Sequence, residues 1–107
     1  MMLSTTEHMP HMKIKKILGI VEGNTIRARS IGRDILATLK NLIGGEIEEY
    51  TKLLAESREQ ALDRMKQQAE ELGANAILGV KFSTSYIMAN AAEILAYGTA
   101  VILEESK

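Results

Sequence analysis

Several residue types are absent from the sequence or scarce in it, and these absences exclude whole classes of site. Its 107 residues include no cysteine and no tryptophan, and aromatic residues make up 4% of the chain. The absence of cysteine excludes disulfide frameworks, thiolate zinc sites, iron–sulfur clusters and cysteine nucleophiles. The scarcity of aromatic side chains leaves little for base stacking. The net charge of −1 exerts no strong attraction on anions. The scarcity of aromatic residues and the near-zero charge together disfavour nucleic acid as a partner.

Long apolar runs are also missing. No stretch approaches the ~20 apolar residues that a membrane span requires, and the polar N-terminal stretch lacks the apolar core of a signal peptide. Hydrophobic residues make up 46% and charged residues 25% of the chain, as is usual for a globular protein. We therefore expect a cytoplasmic protein with no membrane partner, folded as a single domain over residues 1–107.

The first 45 residues predict short elements. Residues 1–12 are polar, contain the only proline, Pro10, and are interpreted as a loose arm or a short edge strand. Residues 13–21 are rich in β-branched side chains and predict a strand. The Glu-Gly-Asn sequence at 22–24 predicts a turn, followed by a second extended piece over residues 25–31. Helical spacing of apolar residues predicts a short helix over residues 33–43, which Gly44 and Gly45 end.

A long amphipathic helix is the clearest element and is predicted over residues 46–72. Its apolar face steps by threes and fours through Tyr50, Leu54, Ser57, Ala61, Met65, Ala69 and Leu72. Gly73 supplies the stop. At 1.5 Å per residue the helix would be ~40 Å long, so it either kinks or reaches past a domain of this size.

Two strands are predicted after the helix. Residues 75–87 alternate, with Leu78, Val80, Phe82, Thr84 and Tyr86 on one face. Residues 88–92 predict a turn or short loop. Residues 93–103 read as a strand that is apolar on both faces, whereas a strand with one face in water should alternate apolar and polar side chains.

This order of elements predicts an α+β fold of two layers, in which an antiparallel or mixed sheet packs against the long helix and the short helix. The second face of the sheet would then expose roughly 300 Å² or more of apolar surface, about the largest patch that monomers show. Covering it would contribute several kcal/mol per subunit at ~25 cal/mol per Å². Another copy of the chain is the simplest cover, and the alternative is that the N-terminal arm or the short helix folds over it.

His8 and His11 are the only histidines, and they are three residues apart beside Met9 and Met12. Imidazoles and thioethers are ligands for soft or borderline metal ions, so these two histidines are a candidate metal site. Pro10 argues against a helix that would place them on one face, and no carboxylate or cysteine completes the ligand set. A solvated arm is the alternative interpretation.

A basic cluster precedes the predicted short helix. Arg27 and Arg29 alternate along an extended segment and so face the same way, and Arg33 and Asp34 follow. The arginines can converge on an anion near a helix N-terminus, or they can form ion pairs with Asp34 or with the acidic start of the long helix. No phosphate-binding loop, dinucleotide-binding glycine pattern, nucleophile elbow or His-Glu zinc helix is present.

Four sequence strings occur in the order LGIVEGNTI, IGRDILATLKNLIGG, LGANAILGV and YGTAV. In this order and spacing they resemble the YbjQ-like family of uncharacterised small bacterial and archaeal proteins. The resemblance implies a two-layer βαβ-type subunit, similar to dodecin subunits, assembled as a ring, expected to be a homopentamer. It also implies a heavy-metal ion as cofactor. Asn24 stands where some members carry an acid, which weakens that expectation for this chain.

Together these interpretations predict a non-enzymatic, ring-forming homo-oligomer that binds a metal ion or a small ligand. The alternative is an enzyme whose polar site is built between subunits, with Arg33, Asp34 and Tyr50 contributing. The candidate ligand-binding residues as a whole are Arg27, Arg33, Asp34 and Tyr50.

Overall fold

The computed structural model describes residues 1–27, 44–88 and 91–106. Its elements are β1 (Met2–Leu3), β2 (Met12–Arg27), α1 (Gly44–Glu71), β3 (Ala76–Met88) and β4 (Ala91–Glu105). The strands form one sheet in the order β1-β3-β4-β2, in which β1 runs parallel to β3 and the other neighbours are antiparallel. The predicted α+β class with a mixed sheet is confirmed. The short helix predicted over residues 33–43 lies outside the described residues.

Helix α1 packs on one face of the sheet, which we call the helix side. The predicted apolar face of the helix is confirmed at Ser57, Ala61, Met65 and Ala69, which are fully buried. Of these, Ala61, Met65 and Ala69 belong to the main core, together with residues of three strands, including Val21, Ile77, Ile94, Ala96 and Ala100. The prediction was wrong for Leu72, which lies beyond the end of α1 and is 48% exposed.

The chain leaves the helix through a tight turn at Gly73. This residue has a φ of +84°, a conformation that costs glycine no Cβ clash. The Ala74 N–H donates to the Ala69 carbonyl oxygen at 3.0 Å and so satisfies one of the last helical carbonyl groups. The predicted C-terminal stop is confirmed. Among the described residues, no helix is long and apolar enough to cross a membrane.

Strand β2 is continuous through residues 22–24, so the turn predicted there was wrong. Gly23 is buried opposite Ala96. A Cβ atom on Gly23 would collide with the Ala61 carbonyl oxygen and the Met65 backbone nitrogen of α1. The glycine is needed here because helix and strand backbones approach closely, and not because the chain reverses.

Strand β3 contains a bulge that changes which residues share a face. Leu78 lies opposite Thr99 but Lys81 lies opposite Tyr97, so two residues of β3 face one residue of β4. Gly79 in the bulge has a φ of +64°. As a result Val80 joins the main core on the helix side, whereas Leu78 joins a second cluster. The prediction that Leu78 and Val80 share a face was wrong.

Both ends of the sheet differ slightly from expectation. Met88, Ala91 and Ala92 are paired in strands, so the turn predicted over residues 88–92 was wrong at these three positions. Of the two interpretations of residues 1–12, the edge strand is confirmed by β1, which pairs with Ala76 and Ile77. The molecule is elongated, with a radius of gyration of 17.2 Å against ~13 Å for a compact domain of about 100 residues.

Candidate interaction surface on the outer face

The face of the sheet away from α1, here called the outer face, carries three isoleucines on β2. Ile14, Ile17 and Ile20 are spaced three apart, a spacing that would alternate between faces in a regular strand. Bulges between Ile14 and Lys16 and between Ile17 and Gly19 each insert one residue. The partners of the three isoleucines are therefore Leu103, Val101 and Thr99, which step by two along β4. All three side chains lie on the outer face, and we call them the isoleucine row.

The isoleucine row is exposed to solvent. Its members are 42%, 63% and 79% exposed in chain order. Ile26 lies on the same face and is 53% exposed. The three side chains of the row together expose roughly 300 Å², at the lower end of the range of the largest apolar patches on monomers. Ile26 is separated from them by Glu22 and Asn24 on the same face. The sequence analysis placed the exposed apolar face on the strand over residues 93–103, and this was wrong in position: Val101 and Leu103 are buried, and the exposed apolar side chains of this face lie on β2.

One end of the outer face is covered by the N-terminal segment. Ala76, Leu78, Val101 and Leu103 form a second buried cluster there, and Met9 and Met12 pack against it. The alternative cover considered from the sequence, the N-terminal arm, therefore accounts for this end. Farther along β4, Leu95 and Tyr97 are only half-buried, and they share the outer face with Asn24 and Glu22, their partners in β2.

A crevice of about 330 Å³ lies between the covered end and the isoleucine row. Leu78 and Val101 are buried and form its floor, and Ile14 and Ile17 line one side. Glu7 and Lys81 place one charge of each sign at its exposed rim. An apolar floor with a few polar groups is typical of sites for small amphipathic ligands.

The two histidines lie in or beside a β-turn. The Met12 N–H donates to the Met9 carbonyl oxygen at 3.1 Å, Pro10 occupies the second position, and His11 has a φ of +62°. These features define a type II turn. The Thr6 hydroxyl donates to the His8 carbonyl oxygen at 2.6 Å. Both His8 and His11 are exposed, so their imidazoles are accessible to an ion in solution.

The remaining candidate metal ligands do not gather around these histidines. Met9 and Met12 are half-buried against the second cluster, so the thioethers pack on the sheet while the imidazoles face solvent. Within residues 1–27, 44–88 and 91–106, no group of three or more His, Cys, Asp or Glu side chains could hold a metal ion. The use of His8 and His11 as a pair of ligands stays a prediction.

The candidate ligand-binding residues of the basic cluster fall at the ends of elements. Arg27 is the last residue of β2, and Tyr50 lies in the first two turns of α1. Arg29, Arg33 and Asp34 lie outside the described residues. Convergence of these side chains on an anion stays a prediction.

Sequence reasoning missed the isoleucine row. Its signal is the IKKILGI string at residues 14–20, in which isoleucine recurs at every third position. In a segment interpreted as a strand, such a spacing indicates bulges if one face is to stay apolar.

Known proteins match this chain over nearly its whole length. A family model described as "Putative heavy-metal-binding" matches residues 1–104. A UPF0145 protein of Dehalococcoides mccartyi is 59% identical over 104 residues, which cover 97% of this chain and 100% of that protein. A UPF0145 protein of Archaeoglobus fulgidus is 56% identical over 101 residues and 94% of each chain. One from Thermotoga maritima is 53% identical over 105 residues, covering 98% of this chain and 99% of its own.

A crystal structure of a protein with unknown function from Pediococcus pentosaceus superposes with a TM-score of 0.65. The match covers 97% of this chain and 98% of that one at 18% sequence identity. At this identity the likeness supports the fold alone.

Proposed function

This chain belongs to the YbjQ-like (UPF0145) family, and from that premise we propose that it is a non-enzymatic cytoplasmic homo-oligomer that self-associates through its outer face. The single observation that carries the proposal is the isoleucine row. Two bulges bring Ile14, Ile17 and Ile20 to one face, and these three side chains are solvent-exposed in a single chain.

The free energy of apolar burial favours covering the isoleucine row with another apolar surface. Removing roughly 300 Å² of apolar surface from water would contribute on the order of 8 kcal/mol at ~25 cal/mol per Å², before the entropy cost of association. A specific interface usually buries about 1,200 Å² or more in total. The outer-face patch of one subunit and the surface of the next subunit that covers it, together with the polar residues around them, approach that size.

A ring, as expected for a pentamer by family resemblance, requires two different complementary surfaces on each subunit. One exposed apolar side chain, Phe82, lies on the helix side of β3. Phe82 pairs with Ala96 in β4 and is 44% exposed. It lies on a different strand and a different face from the isoleucine row, which supports a head-to-tail arrangement over a two-fold dimer.

The proposal is tested by native mass spectrometry and light scattering of the untagged protein at micromolar concentration. The wild-type chain should show a discrete mass that is a multiple of the subunit mass. Ile20→Asp should lower that mass to the monomer with an unchanged far-ultraviolet circular dichroism spectrum, because it places a charge in the apolar contact. Leu72→Asp is the matched control, since Leu72 is also exposed but lies just beyond the end of α1 and away from the isoleucine row, and it should keep the wild-type mass. A wild-type monomer at all accessible concentrations would contradict the proposal.

A second proposed function, metal binding, is favoured by the turn that exposes His8 and His11. Imidazoles suit borderline ions such as Zn²⁺, Ni²⁺ and Cu²⁺, whereas soft heavy metals prefer thiolates, and the chain has no cysteine. One chain supplies two imidazoles, so water or other copies of the chain would complete the coordination. The residues present therefore fit a borderline ion and do not fit a closed heavy-metal site.

Titration calorimetry with Ni²⁺ and Cu²⁺ tests whether His8 and His11 bind a borderline ion. The wild-type chain should bind, and the double variant His8→Ala/His11→Ala should not. Met9→Leu/Met12→Leu is the control and should bind as the wild type does, since the thioethers pack on the second cluster. Equal binding by the histidine variant would exclude the site.

A further inference from the structure

Strand β2 lies at one end of the sheet. One of its sides pairs with β4 along the whole strand, Met12–Arg27, and within the described ranges no strand pairs with the other side. A long strand edge of this kind presents unpaired N–H and C=O groups, to which a strand of another chain can add.

Two side chains of α1 bind backbone groups on this edge. The Glu22 N–H donates to Gln68 Oε1 at 2.7 Å, and Arg64 Nη1 donates to the Asn24 carbonyl oxygen. Glu22 and Asn24 are two residues apart, so their backbone groups point to the same side of β2. Arg64 and Gln68 are four residues apart and so project from the same side of the helix. The bonded groups are neighbours in both elements.

Both hydrogen bonds use backbone groups that an added strand would need for pairing, namely the Glu22 N–H and the Asn24 carbonyl oxygen. An added strand would lie about 4.8 Å from β2 in the hydrogen-bonding direction, in the space that the Arg64 and Gln68 side chains fill. It would also have to replace a charge-assisted hydrogen bond and an amide hydrogen bond with backbone bonds, which lowers the gain from pairing.

We propose that Arg64 and Gln68 close the middle of the β2 edge to strand addition, so that a second copy of the chain docks on the outer face and not on this edge. The inference rests on the proposed self-association for its second clause only. Closure of the edge follows from the two hydrogen bonds and is testable by itself.

The test compares Arg64→Ala/Gln68→Ala with the control Arg58→Ala/Gln67→Ala, which removes two exposed side chains from the same helix. At equal concentration the first variant should form assemblies that grow with time beyond the wild-type mass, bind thioflavin T and gain the infrared band of intermolecular β-sheet. The control should match the wild type. A mass distribution and infrared spectrum identical to those of the wild type in the first variant would overturn the proposal.

Hydrogen exchange shows whether the edge itself has opened. The Glu22 amide should lose protection in Gln68→Ala and keep it in Gln68→Glu, which retains an acceptor oxygen. Equal protection in both variants would overturn the assignment of Gln68. Asn75→Ala distinguishes assembly growth through the β2 edge from assembly growth caused by general unfolding, because it weakens the fold elsewhere and leaves both edge contacts in place. If Asn75→Ala grows as fast at the same folded fraction, the edge is not the cause.

The background variant Ile20→Asp separates this inference from the proposed function. If the outer face is the normal contact, Ile20→Asp alone is monomeric, and adding Arg64→Ala/Gln68→Ala should restore growth through the edge. If the wild-type protein is itself monomeric, the proposed function fails, and growth of the edge variant still supports closure of the edge.

Discussion

Gly23 of β2 lies directly beneath Ala61 of α1, so closely that any side chain at position 23 would meet the Ala61 carbonyl oxygen. The other atoms in the way are the Met65 backbone nitrogen and the Arg64 Cβ atom. Two of the three belong to the helix backbone, which cannot move aside without shifting α1. The contact therefore fixes the distance between the helix and the sheet.

Gly23→Ala should lower the free energy of unfolding by about 1–3 kcal/mol or more, because overpacking against backbone forces the two layers apart. Urea unfolding followed by circular dichroism at one fixed protein concentration measures the change. Glu22→Ala, at the exposed neighbouring position, should cost under about 1 kcal/mol. Because the opposing atoms are backbone, Ala61→Gly should fail to rescue Gly23→Ala, and rescue would show that the close approach has another cause.

The side chain of Asn75 extends the sheet as an extra residue of β3 would. Its Nδ2 donates to the Leu103 carbonyl oxygen at 2.9 Å, and its Oδ1 accepts from the Leu103 N–H at 2.7 Å. Asn75→Ala should cost about 1–3 kcal/mol, since both backbone groups lose a partner in a partly buried setting. Hydrogen exchange at the Leu103 amide should rise in parallel. Unchanged protection of that amide would mean that the hydrogen bonds contribute nothing.

The type II turn at Met9–Met12 places His11 at a positive φ. A side chain in the left-handed region costs about 1–2 kcal/mol relative to glycine, and most for β-branched residues. His11→Val should therefore lower stability by about that amount. His11→Gly should stay within about 0.5 kcal/mol of the wild type, because the relief of strain is offset by the greater freedom of glycine in the unfolded chain. Thermal melts of the two variants give the comparison, and a more stable His11→Val would contradict the turn geometry.

Lys13 and Glu104 pair across β2 and β4 at 3.3 Å, with side chains 61% and 42% exposed. Exposed pairs contribute about 0.2–1 kcal/mol and are weakened by salt. Glu104→Gln should lower the melting temperature only slightly at low ionic strength, and the difference should disappear in molar salt. A large loss that persists in salt would show that Glu104 has a role besides this ion pair.

The sequence predicted elements well where a pattern is local. The spacing of Ser57, Ala61, Met65 and Ala69 predicted the buried face of α1, and Gly73 predicted its end. Positions that depend on a distant partner were not predictable. Gly23 has the sequence signature of a turn, and only the presence of α1 above it reveals a close approach.

Bulges were the second source of error. Strict alternation in β3 placed Leu78 with Val80, and Gly79 separates them. In β2 two bulges place Ile14, Ile17 and Ile20 on one face, where alternation would divide them. A bulge is decided by the pairing of two strands, so one strand alone carries only a hint of it. The candidate surface therefore became visible only with the register.

The bulge at Gly79 also determines what holds the N-terminus in place. In a regular strand, successive amide groups point to opposite edges. Here the N–H groups of both Gly79 and Val80 donate toward the same side, to the carbonyl oxygens of Thr6 and Ser4 at 2.9 and 3.0 Å. Removing residues 1–6 would leave these two adjacent N–H groups without acceptors on an exposed edge of β3. The N-terminal segment therefore protects that edge of the sheet.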